Sequence, residues 1–188
     1  GKAWVESGIT LTIEPGTIIK GRSGVETNAS ALIIARGGII NAVGTSAAPI
    51  IFTTIDDNIE VGQLVGTNLE KEDNELWGET QIEGIPAEEE YGKYGGRDAS
   101  DNSGILKYVS IRHGGVSIGD GNEINGLTLG GVGSGTTIDN VEVFATLDDG
   151  IEFFGGTVDV TNAIVSFQGD DGIDIDISGV TNPSLRYD

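Results

Sequence analysis

The sequence predicts an all-β chain folded as a right-handed parallel β-helix, a solenoid with coils of about 22 residues. Three observations predict it. Residues 140–153 (NVEVFATLDDGIEF) and 162–175 (NAIVSFQGDDGIDI) align without a gap, every matched pair 22 apart. Residues 9–16 (ITLTIEPG) and 31–38 (ALIIARGG) align at the same spacing. Thirty-one glycines are scattered singly and in pairs between short apolar runs, which is turn punctuation of an all-β fold. A fixed period in the low twenties, rich in β-branched residues, marks stacked coils that share one long core. Parallel crossovers of this kind are right-handed.

In chain order, the alternation of Ile9, Leu11 and Ile13 is strand period two, with these side chains facing inward. Pro15-Gly16 and Gly37-Gly38 then mark one corner in successive coils. Ile33 is the next inward residue, and a further strand follows at residues 49–53. The period is lost between residues 54 and 103, an acidic stretch containing Trp77, Tyr91 and Tyr94. It reads as an excursion that packs these aromatics on the coil flank, with room for one irregular rung. Residues 106–111 match 138–143 at an offset of 32, and the excess falls in 119–135, a Gly-rich corner insertion. Residues 115–118 match 150–153 and then 172–175. Val141, Val143, Ile151, Phe153, Val165 and Ile173 are the remaining inward positions. The whole is one domain: N-terminal coils over 1–53, the excursion over 54–103, and C-terminal coils over 104–188.

Composition narrows the partners. Net charge is −20, from 30 acids and 10 bases, so nucleic acid and anionic lipid are repelled. No apolar run approaches a membrane span. With no cysteine, disulfides and thiolate metal sites are excluded. The chain begins at Gly1 and has no Met, as expected of a processed or trimmed chain.

The runs at residues 11–21 (LTIEPGTIIKG), 108–115 (YVSIRHGG), 125–135 (NGLTLGGVGSG) and 148–156 (DDGIEFFGG) resemble a family of secreted β-helix proteins of Bacteroidetes-like bacteria. Its members are known as lipoproteins or hypothetical surface proteins. The resemblance implies export to the outside or the cell surface and a right-handed β-helix, and it implies no reaction. Two positions depart from the family pattern. No apolar strand follows Trp77-Gly78 directly, and Gln168 stands where the family carries a cysteine. The family also continues past the last repeat, so a truncated or engineered chain is expected.

Chemistry concentrates in the acidic ladder. Stacked coils bring equivalent residues about 4.8 Å apart. Asp148 is then beside Asp170, Asp149 beside Asp171, and outward-facing Glu152 beside Asp174. Like charges this close call for a bound cation, a retained proton, or inward carboxylates that accept N–H groups of the corner glycines. Hard carboxylate oxygens favour Ca²⁺, which makes Asp149, Asp171, Glu152 and Asp174 the candidate metal ligands. Asp-Gly is also a common turn dipeptide, which is the structural alternative. His113, the only histidine, counts into the column of Asp148 and Asp170, with Arg112 beside it. His113, Asp148 and Asp170 are therefore the candidate acid–base group. They loosely echo the Asp-Asp and Gly-His-Gly elements of pectin-cleaving β-helix hydrolases, in reversed order. Residues 119–123 (GDGNE) resemble a calcium-loop fragment without its repeat. Residues 130–135 lack the Lys of a phosphate loop.

Neither end of the stack carries a capping pattern, and residues 179–188 form only part of a coil. The chain is expected to be a module of a longer protein or to stack head to tail, residues 2–9 of a neighbour completing the half coil. The functional expectation is a non-enzymatic secreted or surface scaffold. The competing expectation is a glycan-binding or glycan-cleaving β-helix of hydrolase or lyase type that uses the ladder.

Overall fold

The computed structural model describes residues 1–24, 28–77, 80–82, 94–119 and 122–176. The chain is a parallel β-helix whose coils have three faces. The first coil comprises β1 (Lys2–Val5), β2 (Thr10–Ile13) and β3 (Ile18–Gly21), and the second β4 (Ala31–Ile34), β5 (Ile39–Val43) and β6 (Ile50–Thr54). The third contains β7 (Thr80–Ile82) and the long β8 (Gly104–Arg112). A hairpin of β9 (Ser117–Gly119) and β10 (Asn122–Glu123) then leaves the stack. The fourth coil holds β11 (Leu127–Val132) and β12 (Thr137–Phe144). The fifth holds β13 (Ile151–Gly156), β14 (Val160–Thr161) and β15 (Ile164–Ser166), and β16 (Ile173–Asp176) opens the sixth. Among the described residues, no helix is long and apolar enough to cross a membrane.

One face is the six-stranded parallel sheet β1-β4-β7-β11-β13-β16. The second runs β2-β5-β8-β12-β14, and the third uses β3, β6, the later halves of β8 and β12, and β15. The bend between the second and third faces has a backbone cause. Tyr108, Asn140 and Asn162 adopt φ of 50°, 55° and 53° at equivalent points of three coils. His113, Ala145 and Phe167 repeat the device at the next corner, at 59°, 54° and 64°. Left-handed residues turn the chain sharply without interrupting the ladder.

The core runs along the axis. Phe52, Ile40, Leu106, Ile111, Leu127, Leu129, Val141, Val143 and Ile151 are almost wholly buried in one cluster. Ile13 is buried in the central cluster as expected, while Leu11, Val165 and Phe153 are half-buried against it. Ile33, expected inward, is instead buried on the outer side of β4 with Ala31 and Trp4, because its neighbours Leu32 and Ile34 take the positions that face the core. Ile9 and Ile173, expected inward, are instead exposed at 55% each. Each lies in a terminal described coil, with a neighbouring coil on one side only, so half of its shelter is absent.

Register confirms the C-terminal repeat and corrects the N-terminal one. Ile151 pairs with Ile173 and Glu142 with Ile164, both 22 residues on. Leu106 pairs with Ile138, 32 residues on. In the first coils, however, Thr10 pairs with Ile39 and Lys2 with Ala31, a spacing of 29. Pro15-Gly16 and Gly37-Gly38 are therefore different corners. Gly8 donates to Gly37 O at 2.8 Å, and Gly16 to Ala48 O at 3.0 Å.

Two further segments differ from expectation. The strand beside β13 is β11, so residues 115–118 are not its coil equivalent. Only part of 119–135 is an insertion, because residues 127–132 form a full rung. The excursion does contain a rung, β7, between β4 and β11. Trp77 enters the core rather than the flank, 2% exposed, and its indole N–H donates to Arg112 O at 2.7 Å. Tyr94 packs on Phe154 with ring centres 6.0 Å apart. Tyr91 lies outside the described residues.

Candidate functional site

The acidic corner is built where the chain passes from the third face back to the six-stranded sheet. Three corners stack there. Gly126 N donates to Asp149 O and Leu127 N to Gly150 O, both at 2.9 Å. Gly150 N donates to Asp171 O at 2.9 Å and Ile151 N to Gly172 O at 3.2 Å. Glycine is needed at position 150, where a Cβ would collide with Val165 Cγ1 and lie 2.7 Å from Gly172 O. This ladder puts Asn125, Asp149 and Asp171 in one column. Register puts Thr128, Glu152 and Asp174 in another.

Asp149 is buried, and its Oδ1 accepts the Asp171 N–H at 2.9 Å. The inward turn role expected of it is thus formed, with the Asp171 amide as donor in place of a corner glycine. Burial raises the Asp149 carboxyl above the usual range, and Asp174, Asp170 and Asp171 add to this repulsively. Glu152 and Asp174 are half-buried rather than fully outward, and Thr128 in their column is 1% exposed. Burial pushes Glu152 up to about 7, with Asp149, Asp174 and Asp148 adding to the rise. The Asn125 amide, donating to Glu152 Oε2, opposes it.

One oxygen from each of Asp149, Glu152 and Asp174 lies within 4.8 Å of the others. Asp148, Asp149 and Asp170 form a second such group. Asp171 is in neither; its side chain is exposed and its backbone serves Asp149. Sequence reasoning missed Asn125. It is 4% exposed and its Oδ1 is buried without a partner. The signal was its place two residues before Leu127, which only the true register reveals.

His113 does not join this group. Its backbone N–H donates to Phe144 O at 3.0 Å, placing it in the column of Ala145 and Phe167. Counting back from Gly115 misplaced it because the β9–β10 hairpin intervenes, and Gly126 is the real counterpart of Gly150. His113 is 5% exposed, edge-on to Phe144, with Nδ1 2.6 Å from Asp73 O. Leu76 N donates to His113 O at 3.1 Å and Glu75 N to Gly114 O at 3.0 Å. His113 therefore ties the excursion to the stack. Arg112 is paired with Glu142 at 2.8 Å and also donates to Leu64 O at 2.7 Å. Asp148 and Asp170, expected to be the acid–base partners of His113, lie three residues past its column mates Ala145 and Phe167 and group instead with Asp149.

None of the curated proteins and none of the solved structures matches the chain. A family model described as a pectate-lyase like beta helix domain matches residues 1–180. The stacked parallel coils and the match over nearly the whole sequence agree, and the chain belongs to the pectate-lyase-like β-helix domain family.

Proposed function

We propose that the chain is a non-enzymatic β-helix scaffold, secreted or displayed at the cell surface, whose coils stack head to tail on a second copy. The observation that carries this reading is the pair of unlike, unpaired ends. Among the described residues β1, β2 and β3 each pair on one side only, and so do β14, β15 and β16. Ile164, Phe167, Ile173 and Ile175 are exposed on the last coils. At the opposite end Leu11, Ile19, Leu32, Phe52 and Trp77 line an apolar cavity of about 660 Å³. Residues 1–53 carry four basic and three acidic side chains, while 54–188 carry six and 27. Like ends of the acidic part repel, and the nearly neutral first coils are the tolerated neighbour. The half coil at 179–188 lies outside the described residues, so the proposal rests on β14–β16 instead.

Sedimentation at rising protein concentration tests it. Association is expected, and it should be lost in the Ile173→Lys, Ile175→Lys double variant. A chain that stays monomeric at every concentration overturns the stacking reading.

A second reading, glycan binding or cleavage, draws on Glu152, which keeps a proton near neutrality beside Asp149 and Asp174. Hydrolysis needs two carboxyl groups set roughly 5–5.5 Å apart for retention or 6.5–9.5 Å for inversion, and this cluster offers three carboxylates with one oxygen of each within 4.8 Å of the others. A lyase would need a free basic residue, and Arg112 is held by Glu142. Release of reducing or unsaturated ends from polysaccharide, lost in Glu152→Gln, would favour this reading over the scaffold.

A further inference from the structure

We infer that Asp149, Glu152 and Asp174, together with the side-chain carbonyl of Asn125, form a Ca²⁺ site that bridges three successive coils. The carboxylates alone would not carry this, since acids cluster without ions on many surfaces. Asn125 supplies the independent observation. Its amide is nine-tenths buried and faces the cluster, with Nδ2 donating to Glu152 Oε2 and, at 3.3 Å, to Thr128 Oγ1. That orientation leaves Oδ1 buried without a partner, a costly arrangement for a carbonyl. Turning the amide over, which its shape allows, would point Oδ1 at the carboxylates and create repulsion. With the amide turned over, a cation between Oδ1 and the carboxylates replaces that repulsion with attraction: Oδ1 becomes a ligand and the three carboxylates are neutralised.

Among the described residues, no basic side chain meets this need. Lys107 is paired with Asp139 and Arg112 with Glu142. No ion pair of the described residues involves Asp149, Glu152 or Asp174. Four hard oxygens, with carboxylates able to bind through both atoms and water completing the shell, suit Ca²⁺. Zn²⁺ would want nitrogen or sulfur, and the only histidine stands in another column, engaged with Asp73 O, while cysteine is absent. The neighbouring group of Asp148, Asp149 and Asp170 has no orphaned atom and includes an exposed Asp170, so the ion is assigned to the inner group. Asn125 precedes β11, Asp149 and Glu152 flank and enter β13, and Asp174 lies on β16. Binding therefore fastens β16 to the stack.

The test is calorimetric titration of CaCl₂ into the chelator-treated full chain near neutral pH, at fixed ionic strength, with hydrogen exchange of β16 as the second readout. One saturating site per chain is expected, with slower exchange in β16. Glu152→Gln and Asp174→Asn should each weaken binding by at least about tenfold, and Asp170→Asn should leave it unchanged. Asp174 is half-buried on the last described strand, so its variant keeps the test valid should Glu152→Gln fold poorly. The inference is overturned by absence of saturable heat, by equal weakening in Asp170→Asn, or by NaCl reproducing the protection. In the first case, faster exchange of β16 on raising the pH would identify a proton on Glu152 as the neutralising species.

Discussion

Glu152 and Asp174 are register partners on adjacent parallel strands, β13 and β16, and both turn a carboxylate toward Asp149. Directly opposed like charges destabilise a sheet, so this contact is held against its own electrostatics. The sign of the resulting pH dependence follows. Glu152 is raised from its usual 4.5 to about 7. Its stabilising contribution is complete below the unfolded value and is lost as pH rises through about 7. Asp149 acts in the same direction. Asp139 is depressed by Lys107, with Asn162 and Thr161 assisting, so it acts oppositely, losing its contribution as pH falls below the ordinary carboxylate range.

Metal-free protein should therefore be most stable near the upper end of the ordinary carboxylate range and weaken toward and past neutrality. Glu152 is half-exposed, and solvent screening reduces its share to roughly 1–2 kcal/mol. Urea melts across this range would show the slope, and Glu152→Gln should flatten it. A slope of equal size in that variant would assign it to the overall charge of −20 instead.

Chelation supplies a second prediction. EDTA should lower the melting temperature of protein that carries Ca²⁺, and added Ca²⁺ should restore it. The native state gains about 2.7 kcal/mol at a hundredfold excess over Kd. An identical melting curve with and without EDTA, in protein first loaded with Ca²⁺, would contradict the prediction.

Core energetics separate two phenylalanines. Phe52 is 1% exposed in the central cluster, whereas Phe153 is half-buried at its edge. Phe52→Ala should cost about 3–5 kcal/mol, and Phe153→Ala about 1–2 kcal/mol. Paired denaturant melts check the order; equal losses would show that the last coils are as tightly packed as the middle.

The legible part of the fold was the part with short, uniform coils. Residues 140–175 repeat cleanly because each corner there has the same length, so Glu152–Asp174 could be paired from sequence. In the first coils, two different corners both end in glycine, and β-branched alternation looks alike on every face; nothing local distinguishes a spacing of 22 from 29. The rung at 127–132 was concealed by Gly130 and Gly131, which read as loop. That one error removed Asn125 from the site and put His113 into it. Long-range register, set by packing rather than by local pattern, decides both positions.

His113 should matter to architecture. His113→Ala removes the contact with Asp73 O and the edge-on packing against Phe144, a loss of about 1–3 kcal/mol. The cleavage rate by a broad-specificity protease within residues 60–77 should rise. His113→Asn should be milder, since asparagine tolerates the φ of 59° and can still donate to Asp73 O. Protease resistance unchanged in His113→Ala would show that Trp77 and its bond to Arg112 O anchor the excursion unaided.

Ala145 tests whether the corner columns store strain. It is fully buried at φ 54°, between His113 at 59° and Phe167 at 64°. A left-handed L-residue costs roughly 1–2 kcal/mol. Glycine removes that cost but adds about 0.5–1 kcal/mol of unfolded-state entropy. The methyl group lost is small, so Ala145→Gly should stabilise the chain by up to about 1 kcal/mol. The converse change, Gly150→Ala, should destabilise it, because the new Cβ would meet Val165 and the Gly172 carbonyl. A loss of at least about 2 kcal/mol is expected there. Denaturation midpoints that move in opposite directions would establish that conformation governs position 145 of this corner and space position 150. A clear loss in Ala145→Gly would mean that the surrounding coils hold this φ without measurable strain.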